Sequence, residues 1–234
     1  MLVAELELRH SRAIAPTRRL ALGRLWLPTE PAPGFGGVLL AGVVGAAIGA
    51  IDDEEVIEGI DVLIDDLERG RHVAQPRLRY SFQTDVHGLD RSLHRLVNVG
   101  DALELDIDGH GAALPNVLGA IYAAGRLSYG VRPQVFRLLR RATRWDGPAD
   151  QRLIEFLTGD EAASFRRRSL PNDERWALRV LGFGADSEPG RGEIQRRFRV
   201  LVRDAHPDHG GDAVGAGQRI LELTEAKRIL LMGA

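Results

Sequence analysis

Cysteine is absent from this chain of 234 residues. That excludes disulfides, thiolate metal centres and cysteine nucleophiles together. Lysine is almost absent, with Lys227 alone among 31 basic residues. A phosphate-binding P-loop needs Gly-Lys-Ser/Thr, and a single lysine near the C-terminus excludes one. There is little net charge, −2, so no global basic footprint for nucleic acid. The start, Met1-Leu-Val-Ala-Glu-Leu-Glu-Leu, lacks a basic segment followed by an apolar core, so no signal peptide is expected.

What is present describes an ordinary water-soluble protein, with 44% hydrophobic and 27% charged residues. The length suffices for two modest domains. Arginine in place of lysine, with abundant Ala, Gly and Leu, points to a GC-rich bacterial coding sequence.

The first part of the chain reads as α+β with helices dominant. Leu2 to Leu8 and Arg19 to Leu27 alternate like strands of a hairpin. Gly34 to Ile51 is 18 residues without a charge, six of them glycine. We read it as a buried soluble segment. A short membrane span and a glycine-rich ligand loop are the other readings, and the glycine content and charge flanks disfavour the membrane. Asp52 to Gly70 has the apolar face Val56, Ile60, Leu63, Ile64 and Leu67 of an amphipathic helix. Arg77 to Gln83 reads as a short strand, Leu89 to Val97 as a helix and Ala102 to Ile107 as a strand. Val117 to Ala124, Pro133 to Trp145 and Gln151 to Leu157 read as helices. Gly159 to Pro171, with three successive arginines from Arg166, reads as the linker region.

Nothing in this part points to catalysis, and no metal or cofactor site is expected. Glu104, Asp106 and Asp108-Gly109 imitate the start of a calcium loop, but its twelfth position is Pro115. His72, His87, His94 and His110 lack zinc-type spacing. Arg137, Arg140, Arg141 and Arg144 fall on one helical side and read as a solvated face, with a nucleic-acid or acidic-partner patch as the other reading.

The last quarter carries the sharpest pattern. Ile194, Phe198, Leu201 and Val202 form one face of a helix, and Ile220, Leu223, Leu230 and Leu231 form a second. Between them lies His206-Pro207-Asp208, followed by His209-Gly210-Gly211-Asp212. Proline ends the first helix and pushes the residue before it out of helical backbone. Two antiparallel helices with a histidine and a carboxylate between them follow. From Arg191 to Arg203 five arginines face only Glu193, and Arg196, Arg199 and Arg203 share one side. Such a stripe suits docking on an acidic surface.

Together with Trp176 to Phe183 as a short first helix, Phe198 and Glu225-Ala226, this arrangement resembles the J domain of DnaJ-type co-chaperones. The resemblance covers Asp173 to Ala234. It implies an all-α domain whose second helix meets the ATPase domain of a 70-kDa heat-shock chaperone of the DnaK type. It further implies that His206, Pro207, Asp208, Arg196, Arg199 and Arg203 make that contact and do no chemistry themselves. Asp204, Ala205 and Lys227 depart from the family pattern. Without a cysteine-rich zinc module or a Gly/Phe-rich linker, the chain resembles the class that joins a J domain to an unrelated domain. The expected layout is an α+β domain over 1–165, a linker over 166–172 and the J domain over 173–234. The first domain is expected to supply an unidentified client, a location or a homodimer contact. The expected place of action is the cytoplasm, with no nucleic-acid partner and no enzymatic activity.

Overall fold

In the computed structural model the described residues are 1–12, 15, 18–71, 73, 78–99, 102–109, 112–159, 173–184, 187–205 and 216–232. The chain divides into two compact units, Met1–Ala162 and Ala163–Ala234. Among the described residues there are eight helices and one five-stranded sheet, and about half of the chain is helical. The linker expected over 166–172 lies outside the described residues.

The first unit is a sheet with helices packed on one face. Strands β1 (Leu2–His10) and β2 (Arg18–Trp26) pair antiparallel, as their alternation predicts. Helices α1 (Gly34–Ile48) and α2 (Glu54–Glu68) follow, then β3 (Tyr80–Gln83), β4 (Asp90–Val99) and β5 (Ala102–Asp106). The sheet order is β3-β2-β1-β4-β5, with β3 parallel to β2 and the remaining pairs antiparallel. Helices α3 (Ala113–Ala124), α4 (Arg132–Ala142) and α5 (Gln151–Thr158) complete the unit.

Helix α1 is the hub. Every residue in it is buried except Ala46. Its glycines are explained by what approaches them. A Cβ on Gly42 would lie 2.6 Å from the side chain of Leu105, and one on Gly45 would lie 2.9 Å from Leu153. Strand β5 and helix α5 therefore press on α1 at the points where it has no side chain. Among the described residues no helix is long and apolar enough to cross a membrane, and the uncharged stretch carries a buried helix.

Helix α2 starts where its acids predict. The Asp53 carboxylate accepts from the backbone N–H groups of Glu55 (3.0 Å) and Val56 (3.4 Å). Its buried residues are Ile60, Leu63 and Ile64, part of the apolar face expected from spacing. The short β3 is held by Phe82, whose ring stacks on Tyr122 of α3 at 4.2 Å between centroids.

One element departs from its expected type. Leu89 to Val97, read as a helix, is strand β4 from Asp90 to Val99. Its buried residues are Ser92, His94 and Leu96, at a spacing of two. The alternation is real, but two of its three core positions are polar. Hydrophobicity alone picks out Leu89, Leu93 and Val97 instead, at helical spacing. The strand expected from Arg77 is shorter, beginning at Tyr80.

The buried histidines of the sheet are hydrogen-bonded. His94 is fully buried. Its Nδ1 accepts from the Asp108 backbone N–H at 3.3 Å, and its Nε2 lies 3.4 Å from Asn116 Oδ1. That pair of partners fixes a neutral imidazole with the proton on Nε2. His10 Nε2 lies 2.8 Å from Ser92 Oγ. Asp108 Oδ2 also accepts from the Leu93 backbone N–H at 3.2 Å.

Candidate functional site

The second unit contains α6 (Asp173–Val180), α7 (Arg191–Ala205) and α8 (Ala216–Met232). Its core is Ala177, Leu178, Leu181, Ile194, Leu223, Ala226 and Leu230, with Trp176, Phe183, Phe198, Leu201 and Val202 packed around them. The expected faces of all three helices thus meet. Helix α6 ends in the turn that its Leu-Gly-Phe sequence allows. Gly182 has φ +72°, its N–H donates to the Arg179 carbonyl at 3.0 Å, and the Phe183 N–H donates to Leu178 at 2.7 Å. This is the left-handed cap that glycine enters without Cβ strain.

Helix α7 begins just after Gly190, whose carbonyl accepts from Glu193 (2.9 Å) and Ile194 (3.1 Å). Ile194 is its one fully buried side chain among the described residues. Arg196, Arg199 and Arg203 are exposed, on the side away from the apolar stripe. Spacing of three and four residues makes them neighbours along the helix surface. Arg199 Nε donates to the Gln195 carbonyl at 3.3 Å, and Arg203 Nε lies 3.7 Å from the Asp204 carboxylate. Both contacts are local and exposed, so they leave the charge available at little cost. The helix ends at Ala205, one residue before His206. His206, Pro207 and Asp208 lie outside the described residues.

No family model and no solved structure matches this chain. Over 57 residues, 24% of its length, it is 39% identical to chaperone protein DnaJ 2 of Mycolicibacterium paratuberculosis. The match spans 14% of that relative. A DnaJ-like stretch is what this similarity supports.

Two residues have roles that the charge pattern hides. Arg197 belongs to the same basic run, yet its Nε donates to the Leu181 carbonyl at 2.9 Å. It ties α7 to the end of α6 and is a structural residue. Lys227, the departure on α8, places its ammonium 4.5 Å from the centre of the Phe198 ring. The cation lies over the aromatic face of α7, and with both groups half-buried the attraction is about 0.5–2 kcal/mol. Arg197 has no sequence signal that separates it from Arg196. For Lys227 the signal is the pairing of a long cationic stem with an aromatic on the facing helix.

In the first unit the remaining sequence candidates are separated. Among the described residues no group of His, Asp and Glu is arranged to hold a metal ion. His87 is exposed, with Nδ1 2.7 Å from Asp85, while His94 is buried in the sheet. His72 and His110 lie outside the described residues. Glu104 and Asp106 sit on β5, and Asp108 anchors the following turn through its bonds to β4.

Proposed function

We propose that residues 173–234 form a J domain and that the chain is a co-chaperone. It stimulates ATP hydrolysis by a DnaK-type 70-kDa heat-shock chaperone in the cytoplasm, and residues 1–165 direct that chaperone to a client or a location. The observation that carries this reading is the exposed arginine face of α7, on a helix that ends immediately before His206-Pro207-Asp208. The packing of α7 and α8 on a capped short α6 supports it, as does the likeness to DnaJ 2.

The proposed mechanism is electrostatic docking followed by a switch. Arg196, Arg199 and Arg203 steer α7 onto an acidic surface of the ATPase domain. His206, Pro207 and Asp208 then bias the chaperone toward its hydrolysis-competent arrangement. The J domain supplies binding energy that differs between two states of its partner, as any such shift requires. It transfers no proton and makes no covalent bond.

The test is single-turnover ATP hydrolysis by DnaK with and without the protein. The intact chain accelerates turnover and His206→Gln abolishes the acceleration. Reversing the charge of Arg196, Arg199 and Arg203 weakens it, and added salt weakens it further, because exposed charges are screened. Unchanged hydrolysis with the intact chain overturns the reading.

Asp204 favours a second reading, an adaptor with a J-like fold that is uncoupled from the ATPase. Its carboxylate is exposed beside Arg203 and lowers the positive charge at the end of α7. Retention of the chain on ATP-bound DnaK, lost on Asp208→Asn, separates the two, since only coupling requires it.

A further inference from the structure

Arg137, Arg140 and Arg141 of α4, with Arg144 in the turn after it, face a cleft. It has a volume of about 780 Å³ and is lined by Glu68, Pro133, Arg137, Leu138, Arg140, Arg141, Arg144 and Phe156. Clefts of about 300–1,000 Å³ are the size of ordinary ligand sites. The basic run that reads as a solvated face in sequence is therefore one wall of a concave surface.

The four arginines do not do the same thing. Arg140 is committed: its guanidinium lies 2.6 Å from Asp65 and 2.5 Å from Glu68, both on α2. Hydrogen bonding to Arg140 holds the Asp65 carboxyl below its ordinary range. These bonds absorb the two carboxylates on that side. Arg137, Arg141 and Arg144 are exposed, and among the described residues none has a carboxylate in ion-pair range. Arg141 lies over the Phe156 ring at 4.9 Å, so its planar fork is held at the cleft by stacking. Leu138, Pro133 and Phe156 give the cleft an apolar component.

We propose that this cleft binds an acidic polypeptide segment, with Arg137, Arg141 and Arg144 taking carboxylates and Leu138 and Pro133 receiving an aliphatic side chain. Arg137 and Arg141 lie about 6 Å apart along the helix axis at 1.5 Å per residue, and Arg144 follows in the turn after α4. Alternate side chains of an extended strand lie about 6.5–7 Å apart, so two carboxylates of one short segment reach this row. Guanidinium forks match carboxylates in bidentate fashion and suffer less from desolvation than ammonium groups.

Nucleic acid fits less well. A single strand needs an aromatic face on which to stack bases. Phe156, the aromatic of this cleft, is covered by Arg141 and by Trp145 at 5.0 Å. The net charge of −2 also gives no broad field to attract a polyanion.

This proposal goes beyond the reading of the second unit and does not depend on it. A short fluorescein-labelled peptide of repeating Glu-Glu-Leu is titrated with the full chain and followed by anisotropy. Binding is expected, weakening as salt rises from about 50 to about 200 mM. Arg137→Glu with Arg144→Glu weakens it at least about tenfold, whereas Arg91→Glu, at an exposed position on β4, leaves it unchanged. Should the charge reversal unfold the unit, as a thermal melt would reveal, Arg137→Gln with Arg144→Gln replaces it. Absent binding, binding equal in the cleft variant, or stronger binding of an oligonucleotide of the same charge overturns the proposal. DnaK hydrolysis is read separately, so loss of one activity does not count against the other.

Discussion

Helices α1 and α7 are both 15 residues long, and they are built for opposite purposes. In α1 every residue but Ala46 is buried, whereas in α7 only Ile194 is fully buried among the described side chains. The first has no charge at all, and the second carries five arginines. Packing dictates the composition of α1 position by position. On α7 packing dictates only one stripe, and the remaining positions are free for another molecule to select. A residue on α1 is thus explained by its neighbours within the unit. On α7, outside the apolar stripe and Arg197, packing among the described residues does not explain it.

The contrast is broken most readily from inside α1. Leu40 is fully buried there. Replacing it with alanine removes apolar contacts and leaves a cavity, at a cost of about 2–5 kcal/mol. Urea unfolding followed by tryptophan fluorescence should register that loss. A cost below about 1 kcal/mol would mean that α1 is not the hub of the unit. Somewhat smaller is the effect of Gly42→Ala, whose new methyl would lie 2.6 Å from Leu105. Overpacking of this kind costs about 1–3 kcal/mol, less the roughly 1 kcal/mol that alanine gains over glycine inside a helix. Pairing it with Leu105→Ala in a double-mutant cycle should return part of the loss, because the two share one volume. Additive losses would show that the strain lies elsewhere.

How far these elements were legible in the sequence follows from the same distinction. The uncharged stretch over α1, the amphipathic face of α2 and the strand alternation of β1 and β2 all follow from apolar spacing. So do the three apolar faces that meet in the second unit. Strand β4 did not, because Ser92 and His94 occupy core positions and their burial is explained by Asp108, Asn116 and His10, residues distant in the chain. The basic stripe was visible as spacing, yet spacing could not separate exposed Arg196 from Arg197, whose bond to Leu181 spans 16 residues. Nor could it show that Arg140 is consumed by α2 while its neighbours face a cleft. Long-range polar contacts leave no periodic trace, and those are what the structure adds.

Acidity offers a gentler probe of the first unit. Burial holds the His94 imidazole below its ordinary pKa of 6.5, with Asn116 and the Asp108 and Asp106 carboxylates opposing the shift. The unfolded chain therefore binds this proton more tightly than the folded one. Stability from His94 is complete above pH 6.5 and is lost as the pH falls through the depressed folded value. A second proton would sit on Nδ1, facing the Asp108 N–H that now donates to it. The urea midpoint of the first unit should fall between about pH 7 and pH 5, and His94→Gln should flatten that dependence. An unchanged slope in the variant would assign the dependence to another group.

The smallest expected effect is the most discriminating, because it compares neighbours on one helix. Arg196, Arg199 and Arg203 are exposed, and among the described residues the bonds of Arg199 and Arg203 are to nearby groups on α7. Replacing each by alanine should move the stability of the second unit by no more than about 0.5 kcal/mol. Arg197 is exposed as well, yet its Nε reaches the Leu181 carbonyl across the interhelical gap. Its loss removes a charge-assisted bond to the last residue before the Gly182 turn, at a cost of about 1 kcal/mol. Thermal melts of the single variants, with DnaK stimulation measured alongside, should give two separate patterns. Arg197→Ala lowers the melting point, while the other three weaken stimulation at unchanged melting point. If all four behaved alike in both measurements, the division of this helix into a packing side and a docking side would be wrong.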